Sequence, residues 1–170
     1  MFSRMQEMKL GAGSRVLAAV TFLGAMTMAS TVASAGETIT GRVVGVSDGD
    51  TITVLDSTKT RHKIRLAGID APESKQAFGQ ASKKSLAAMV FDRDVTLDCG
   101  KTDRYRRRVC VVIVDGKDAN VAQVAAGMAW WYRKYQSEQT LRQRTDYEAA
   151  EGVARAAGRG LWGDKGAVPP

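Results

Sequence analysis

The chain has 170 residues, a length typical of one domain rather than two. Its composition, 44% hydrophobic and 25% charged with only 3 prolines, excludes a disordered tail protein, a collagen-like repeat and a coiled coil. The formal net charge of +7 favours an anionic partner such as nucleic acid, although many basic proteins have no such partner.

The N-terminal 35 residues differ in composition from the rest of the chain. They contain five of the seven methionines, and basic residues precede a largely apolar run from Val16 to Met28. This run is too short to cross a bilayer, which takes about twenty residues, and it is followed by Ala33-Ser34-Ala35, a typical signal-peptidase site. The pattern predicts a cleaved export signal over residues 1–35 and a mature domain over residues 36–170, exported to the periplasm or the medium. An uncleaved anchor or a buried helix is the alternative.

The predicted mature chain retains both cysteines and the single histidine. Two thiols can pair in an exported protein, whereas in the cytosol the same pair would stay reduced. Without a Cys-x-x-Cys motif, and with His62 as the only histidine, the sequence argues against a zinc site.

Residues 38–66 alternate β-branched and polar side chains, as strands do. Asp48-Gly49-Asp50 and Asp56-Ser57-Thr58-Lys59 interrupt this pattern, which predicts three strands joined by two turns. Pro72 ends the meander. Apolar residues at helical spacing then predict a helix from Gln76 to Phe91.

The second half of the chain is predicted to hold two more strands and two helices. Val95–Cys99 and Val109–Val114 are the strands, and the unbroken apolar run of the second predicts burial on both faces. Helices follow over Asn120–Ala126 and from about Ser137 to Ala157, with Val153 on the apolar stripe of the last one.

The element order β-β-β-α-β-β-α-α predicts an α+β fold. Five strands with a helix between the third and fourth are typical of a small Greek-key barrel, the OB-fold, here with three α-helices. An open five-stranded α+β sheet has the same order and is the alternative.

Charged residues are concentrated in three stretches where strands end. These are Asp48–Thr51, Arg65–Glu73 and Asp103–Arg108. Taken singly, each is typical of a turn or a solvated surface. Together they supply oxygen ligands for a hard cation, arginines for a phosphate, and a spare carboxylate to orient or deprotonate a water. These are the parts of a phosphodiester hydrolase.

In this order, the stretches resemble the thermonuclease family, the secreted nucleases similar to staphylococcal nuclease. The matching pieces are Asp-Gly-Asp-Thr at 48–51, the run from Arg65 to Glu73, Asp103-Arg104-Tyr105 with the arginines after it, and Gly160-Leu161-Trp162. The resemblance covers about residues 38–162. It implies an OB barrel, in agreement with the order of the elements.

The resemblance also implies a calcium site. Asp50 and Asp70 match carboxylate ligands of Ca²⁺, and Ala71 matches a residue that contributes its backbone carbonyl. Because the ligand there is the backbone, an alanine side chain costs little.

Three residues match the catalytic group of the family. Glu73 corresponds to the proposed general base, and Arg65 and Arg107 correspond to the two arginines that hold the scissile phosphate. The implied activity is calcium-dependent hydrolysis of DNA and RNA with low sequence specificity, leaving 3′-phosphates, by a protein we expect to be monomeric.

Three further residues match substrate contacts. Arg104 and Tyr105 correspond to residues that contact the terminal phosphate, and Tyr135 corresponds to a tyrosine beside the base. Trp130-Trp131-Tyr132 is a candidate stacking surface as well, although the two tryptophans are equally typical of a core.

The hairpin between the last two strands departs from the family pattern. Arg106 stands where the family usually has glycine, and a positive φ there would strain an arginine. Cys99 and Cys110 flank this hairpin on strands expected to pair. A disulfide between them would stabilise the fold by about 3 kcal/mol; two buried free thiols are the alternative.

A catalytically silent OB-fold module that binds nucleic acid is the competing hypothesis. Such modules typically lose the carboxylates or the arginines, whereas this sequence has all five, namely Asp50, Asp70, Glu73, Arg65 and Arg107. The sequence therefore favours an active nuclease.

Overall fold

A computed structural model of the chain describes residues 36–163. The predicted export signal, residues 1–35, lies outside the described part. None of the helices within residues 36–163 is long and apolar enough to cross a membrane.

Five strands form a closed barrel. Neighbouring strands in the sheet pair antiparallel, and one parallel pair closes it. The strands are β1 (Glu37–Val46), β2 (Thr51–Asp56), β3 (Arg61–Leu66), β4 (Asp94–Thr102) and β5 (Arg108–Val114). The strand order is β3-β2-β1-β4-β5, and a parallel pairing of β3 with β5 closes the sheet on itself. The predicted OB-type barrel is confirmed, and the open sheet is excluded.

Strand β1 holds the two halves of the barrel together because it pairs with two neighbours. Its first half is antiparallel to β4, from Glu37 opposite Cys99, and its second half is antiparallel to β2, up to Val46 opposite Ile52. Alternate side chains of the strands point inward, so that Val43, Ile52 and similar β-branched residues fill the core.

Strand β5 is buried less completely than its sequence predicts. Cys110, Val112 and Val114 are buried, but Val109 and Val111 between them are only half-buried. These two residues line a cleft instead of packing under a helix. The prediction of burial on both faces was therefore wrong.

Three α-helices complete the fold: the first two contact the barrel strands, and the third packs mainly against the second. They are α1 (Gly79–Val90), α2 (Ala119–Ala125) and α3 (Leu141–Ala156). Helix α3 begins later than predicted because a 3₁₀ turn occupies Arg133–Glu138 and Thr140 caps the helix in a reciprocal pair with Gln143. Val153 is 52% exposed and lies off the buried stripe, contrary to the prediction.

Two local connections hold the loops around the barrel. Ile69–Asp70 pairs antiparallel with Trp130–Trp131, which ties the segment after β3 to the segment after α2. The sulfur atoms of Cys99 and Cys110 are 2.07 Å apart, a disulfide between paired residues of β4 and β5. It lies at the base of the hairpin that carries residues 103–107.

Candidate active site

The three charged stretches meet at one end of the barrel. Strand register brings them together, since Thr51 at the start of β2 pairs with Arg65 of β3, and Arg65 in turn lies opposite Val109 of β5. Residues that are up to 60 positions apart in the sequence thus share one neighbourhood.

The Arg65 guanidinium lies between two carboxylates. It donates from Nη1 to Asp50 Oδ2 and from Nη2 to Asp70 Oδ1, the latter at 2.6 Å. Arginine suits this bridge because its planar fork offers donors to two acceptors at once. The predicted grouping of Asp50, Asp70 and Arg65 is therefore present in the structure.

The two carboxylates are partly or fully removed from water. Asp50 is 6% exposed, and burial raises its pKa to about 6, with Arg65 opposing this rise and the nearby Asp48 adding to it. Burial likewise raises the pKa of Asp70, against the influence of Arg65. One guanidinium thus faces two carboxylates, and its single positive charge leaves excess negative charge at the site when both are ionised.

Arg107 joins the same network from the opposite side. Its Nε donates to Asp103 Oδ2 at 2.8 Å, and its Nη1 donates to Thr51 Oγ1 at 3.3 Å. Thr51 Oγ1 in turn donates to Asp50 Oδ1 at 2.9 Å. A continuous path of hydrogen bonds therefore connects the two predicted phosphate-binding arginines.

The arginine hairpin is held by Asp103. Its Oδ1 accepts hydrogen bonds from the backbone N–H groups of Tyr105 and Arg107, both at 2.9 Å. Burial alone would raise the pKa of Asp103, but these bonds and the Arg107 guanidinium outweigh it and hold the pKa below its usual value. Arg106, between Tyr105 and Arg107, has φ +62°, the strained conformation expected if an arginine replaces glycine. Arg107 nevertheless reaches the network.

A cleft of about 1020 Å³ opens beside this network. Six of the predicted site residues line it, namely Arg65, Asp70, Arg104, Tyr105, Arg107 and Tyr135. The guanidinium carbons of Arg104 and Arg107 lie 4.8 and 5.4 Å from the centre of the exposed Tyr105 ring. This end of the cleft therefore offers positive charge next to an accessible aromatic face.

A second aromatic group, Tyr132 and Tyr135, also lines the cleft. The rings of Tyr132 and Tyr135 meet edge to face with centroids 5.0 Å apart, and Lys101 Nζ lies 4.6 Å from the Tyr135 centroid. Trp130 and Trp131 are 6% and 7% exposed. The tryptophans thus belong to the buried part of the protein and do not form the stacking surface.

Glu73 makes no hydrogen bond to the other predicted catalytic residues. Its carboxylate makes no hydrogen bond or ion pair with any part of residues 36–163, and the residue is exposed in the loop before α1. Ala71, by contrast, is buried beside Asp50, because its N–H donates to Asp50 Oδ2 at 3.2 Å. Hydrogen bonds therefore link the carboxylates, Ala71 and both arginines, and the Glu73 side chain is outside this network.

The donor set around Asp50 fits a hard divalent cation. It consists of oxygen atoms only, with two carboxylates close enough to share one guanidinium and with excess negative charge. No cluster of three or more His, Cys, Asp or Glu side chains was found within the described residues. The protein would thus offer Asp50, Asp70 and the carbonyl of Ala71, and water would complete the coordination.

Sequence reasoning assigned no role to Thr51 and only a general stacking role to Tyr132. Thr51 stands in the Asp-Gly-Asp-Thr motif, but its link to Arg107 depends on how β2 and the hairpin meet. Tyr132 directly follows the two buried tryptophans, and its N–H bonds to Gly68 O at 2.8 Å. That contact turns the residue toward the cleft.

Comparison with known proteins agrees with this site. Residues 63–164 match the family described as staphylococcal nuclease homologue. A protein of Haemophilus influenzae named "Uncharacterized endonuclease" is 43% identical over 131 residues, which cover 77% of this chain and 70% of the relative. A protein of Shigella flexneri named "Micrococcal nuclease" is 40% identical over 139 residues, which cover 76% of this chain and 77% of the relative. These relatives support a nuclease function, and the chain belongs to the staphylococcal nuclease homologue family.

Proposed function

We propose that this protein is a calcium-dependent nuclease that hydrolyses DNA and RNA with low sequence specificity and leaves 3′-phosphates. The observation that carries the proposal is the hydrogen-bonded path from Arg107 through Thr51 and Asp50 to Arg65 and Asp70. It links two arginines and two carboxylates beside a cleft of about 1020 Å³, which Arg65, Asp70 and Arg107 line.

The arginines bind the scissile phosphate in this proposal. Each guanidinium has five N–H donors, and the bonds described above use two of those of Arg65 and two of those of Arg107. The remaining donors are free to bind phosphate oxygens. They stabilise the charge that grows on the equatorial oxygens in the transition state.

Calcium bound by Asp50, Asp70 and the Ala71 carbonyl would supply positive charge that offsets the charge of the phosphodiester. The carboxylates also hold Arg65 in place, since each accepts one bond from its guanidinium. The chain thus orients one arginine and binds the cation with the same two side chains.

Glu73 is the proposed general base. It lies three residues after Asp70, and its unpaired carboxylate is available to orient a water and accept its proton. The water oxygen forms a bond to phosphorus, the bond from phosphorus to the 5′ oxygen breaks, and the leaving oxygen takes a proton from solvent. The product keeps the phosphate on its 3′ side.

Low sequence specificity follows from the groups that the cleft presents. Arg104 and Tyr105 offer charge and an aromatic ring to the backbone, and Tyr132 and Tyr135 offer stacking surfaces to a base. Phosphate contacts and stacking carry little sequence information. Both DNA and RNA are therefore expected substrates.

The experiment is degradation of single-stranded DNA by the purified protein with calcium or with a chelator, alongside three variants. We expect activity only with calcium, a fall of about 10²- to 10⁴-fold in Glu73→Gln, and a fall of at least about 10²-fold in Arg107→Ala. Arg108→Ala is the matched control, because Arg108 pairs with Glu37 outside the cleft.

Two results would overturn the assignment. Activity that survives chelation or the loss of Arg107 contradicts the mechanism. Salt-sensitive binding of DNA without turnover contradicts the enzyme and leaves the silent binding module.

Export is a further part of the proposal. The charged start, short apolar run and Ala-x-Ala pattern of residues 1–35 support cleavage before Gly36 and a mature protein in the periplasm or the medium, which we expect to be monomeric. N-terminal sequencing of the protein recovered outside the cytoplasm tests this, and an intact Met1 terminus there would contradict it.

A further inference from the structure

A buried glutamine of α2 holds the turn that carries Asp50. Gln123 has no exposed surface, and its Nε2 donates to Gly49 O at 3.0 Å and to Ser82 O of α1 at 2.9 Å. Gly49 directly precedes Asp50 in the chain. One amide group thus connects two helices to the turn at the active site.

The orientation of this amide is fixed by its neighbours. Two backbone carbonyls face Nε2, and the Ser85 hydroxyl donates to Oε1 at 2.8 Å. The Ser82 hydroxyl is engaged as well, because it donates to Met128 O at 2.6 Å. Rotating the Gln123 amide by a half turn would set its oxygen against two carbonyl oxygens and is therefore disfavoured.

The turn has no free space around it. A Cβ at Gly49 would lie 1.8 Å from Ser82 Oγ and 2.7 Å from Ala71 Cβ. Ala71 also donates its N–H to Asp50 Oδ2 at 3.2 Å. A shift of Gly49 therefore moves Asp50 relative to the Asp70–Ala71 segment.

The chemistry of the position argues that the amide has a purpose. Helix α2 buries two apolar residues, Ala119 and Val124, and two amides, Asn120 and Gln123; burying an amide is costly unless its hydrogen bonds are made. Without a donor at position 123, the Gly49 carbonyl would lose a buried partner. An apolar residue would fill the same space without fixing the turn.

We propose that Gln123 is a positioning residue, which sets the place of Asp50 relative to Asp70 and Arg65 through the Gly49 carbonyl. The inference rests on the proposed function for its effect on turnover. Gln123 acts from outside the cleft, because it is not among the residues that line the cleft.

The test compares Gln123→Met, which keeps the volume but removes the donors, with Val124→Ala, which weakens the same helix but removes no hydrogen bond to the turn. Two quantities are measured: the steady-state kinetics on single-stranded DNA with calcium, and the hydrogen exchange of the Ala71 amide relative to the amides of β4. Ser85→Ala, which removes only the hydroxyl that orients the amide, is the milder variant if Gln123→Met does not fold.

For Gln123→Met we expect kcat to fall by about 10- to 100-fold with little change in KM, since small displacements of catalytic groups have effects of this size. The Ala71 amide is expected to lose protection beyond the loss seen in β4. Val124→Ala is expected to lose protection evenly and to keep its kcat, and Ser85→Ala is expected to lie between the wild type and Gln123→Met.

Equal behaviour of Gln123→Met and Val124→Ala in both measurements would overturn the inference, because it would leave Gln123 with a general structural role. If the wild-type protein shows no turnover, the proposed function fails. The exchange of the Ala71 amide still decides whether Gln123 fixes the turn.

Discussion

Arg106 combines backbone strain with a free positive charge. At φ +62°, a residue with a Cβ has a free-energy cost of about 1 kcal/mol, which glycine avoids. Arg107 and Arg108 pair with Asp103 and Glu37, whereas within residues 36–163 the Arg106 side chain has no ion pair. We expect Arg106 to bind a substrate phosphate. Its backbone conformation then lowers stability while its charge strengthens substrate binding.

Arg106→Gly is expected to raise stability and weaken substrate binding at once. Removal of the strain is expected to increase the free energy of unfolding by about 1 kcal/mol. Loss of one phosphate contact is expected to reduce the slope of log Kd against log salt by about 0.7 for a single strand. Urea unfolding and DNA binding at several salt concentrations measure the two effects.

Lys59→Gly is the matched control for this prediction. Lys59 has φ +65° in the turn between β2 and β3, outside the hairpin that carries Arg104 and Arg107. It should gain stability without any change in the salt slope. An unchanged salt slope in Arg106→Gly would show that Arg106 does not contact substrate.

Some residues of the candidate site could be predicted from the sequence, and others could not. Asp50, Arg65 and Asp70 were predicted to act together because their motif places them at strand ends, which the barrel brings together. The roles of Thr51 and Gln123 were not predicted, because their partners depend on strand register and on the packing of α1 against α2. No local pattern of the sequence encodes those contacts.

Elements were predicted well where their periodicity is strong, and less well where a neighbouring element decides burial. The five strands and three helices follow in the predicted order. The outer face of β5 was misjudged because Val109 and Val111 are apolar yet border the cleft. The start of α3 was misjudged because the cap formed by Thr140 and Gln143, not hydrophobic periodicity, sets where that helix begins.

Helix α2 begins at a half-buried cap, Asp118, whose charge lowers stability at neutral pH. Asp118 accepts hydrogen bonds from the N–H groups of Asn120 and Val121 at 2.8 and 3.0 Å. Burial nevertheless raises the pKa of this carboxyl, and the charge of Asp146 adds to the rise. The folded protein thus holds the proton more tightly than the unfolded chain. The contribution to stability is complete below the unfolded pKa and is lost as pH rises through the folded pKa.

We expect Asp118→Asn to keep the helix cap and to remove the loss of stability that deprotonation of Asp118 causes. Between about pH 4 and pH 7, the free energy of unfolding of the wild type should fall relative to that of the variant. Asp118→Ala, the control that removes the cap itself, should be less stable than the wild type by about 1 kcal/mol at pH 7. Urea unfolding at both pH values measures the difference. A constant difference between wild type and Asp118→Asn across this range would contradict the raised pKa.

The net charge of the protein affects how strongly it binds a polyanion. Cleavage after residue 35 would leave 22 basic and 17 acidic residues, a net charge of +5. The basic residues that line the cleft include Arg65, Arg104 and Arg107, which are assigned to substrate phosphates. Long-range attraction and counterion release then both depend on salt.

Binding of single-stranded DNA is therefore expected to weaken steeply with salt. Phosphate contacts by these three arginines and by Arg106 predict a slope of about −3 in log affinity against log salt, or a loss of about 50-fold between 50 and 200 mM. Fluorescence anisotropy of a labelled oligonucleotide, with a chelator present to prevent cleavage, measures it. An oligomer of the same bases with an uncharged backbone is the control and should show almost no salt dependence. A similar slope for both oligomers would mean that the arginines of the cleft do not contact the phosphates. The base contacts at Tyr132 and Tyr135 would then dominate binding.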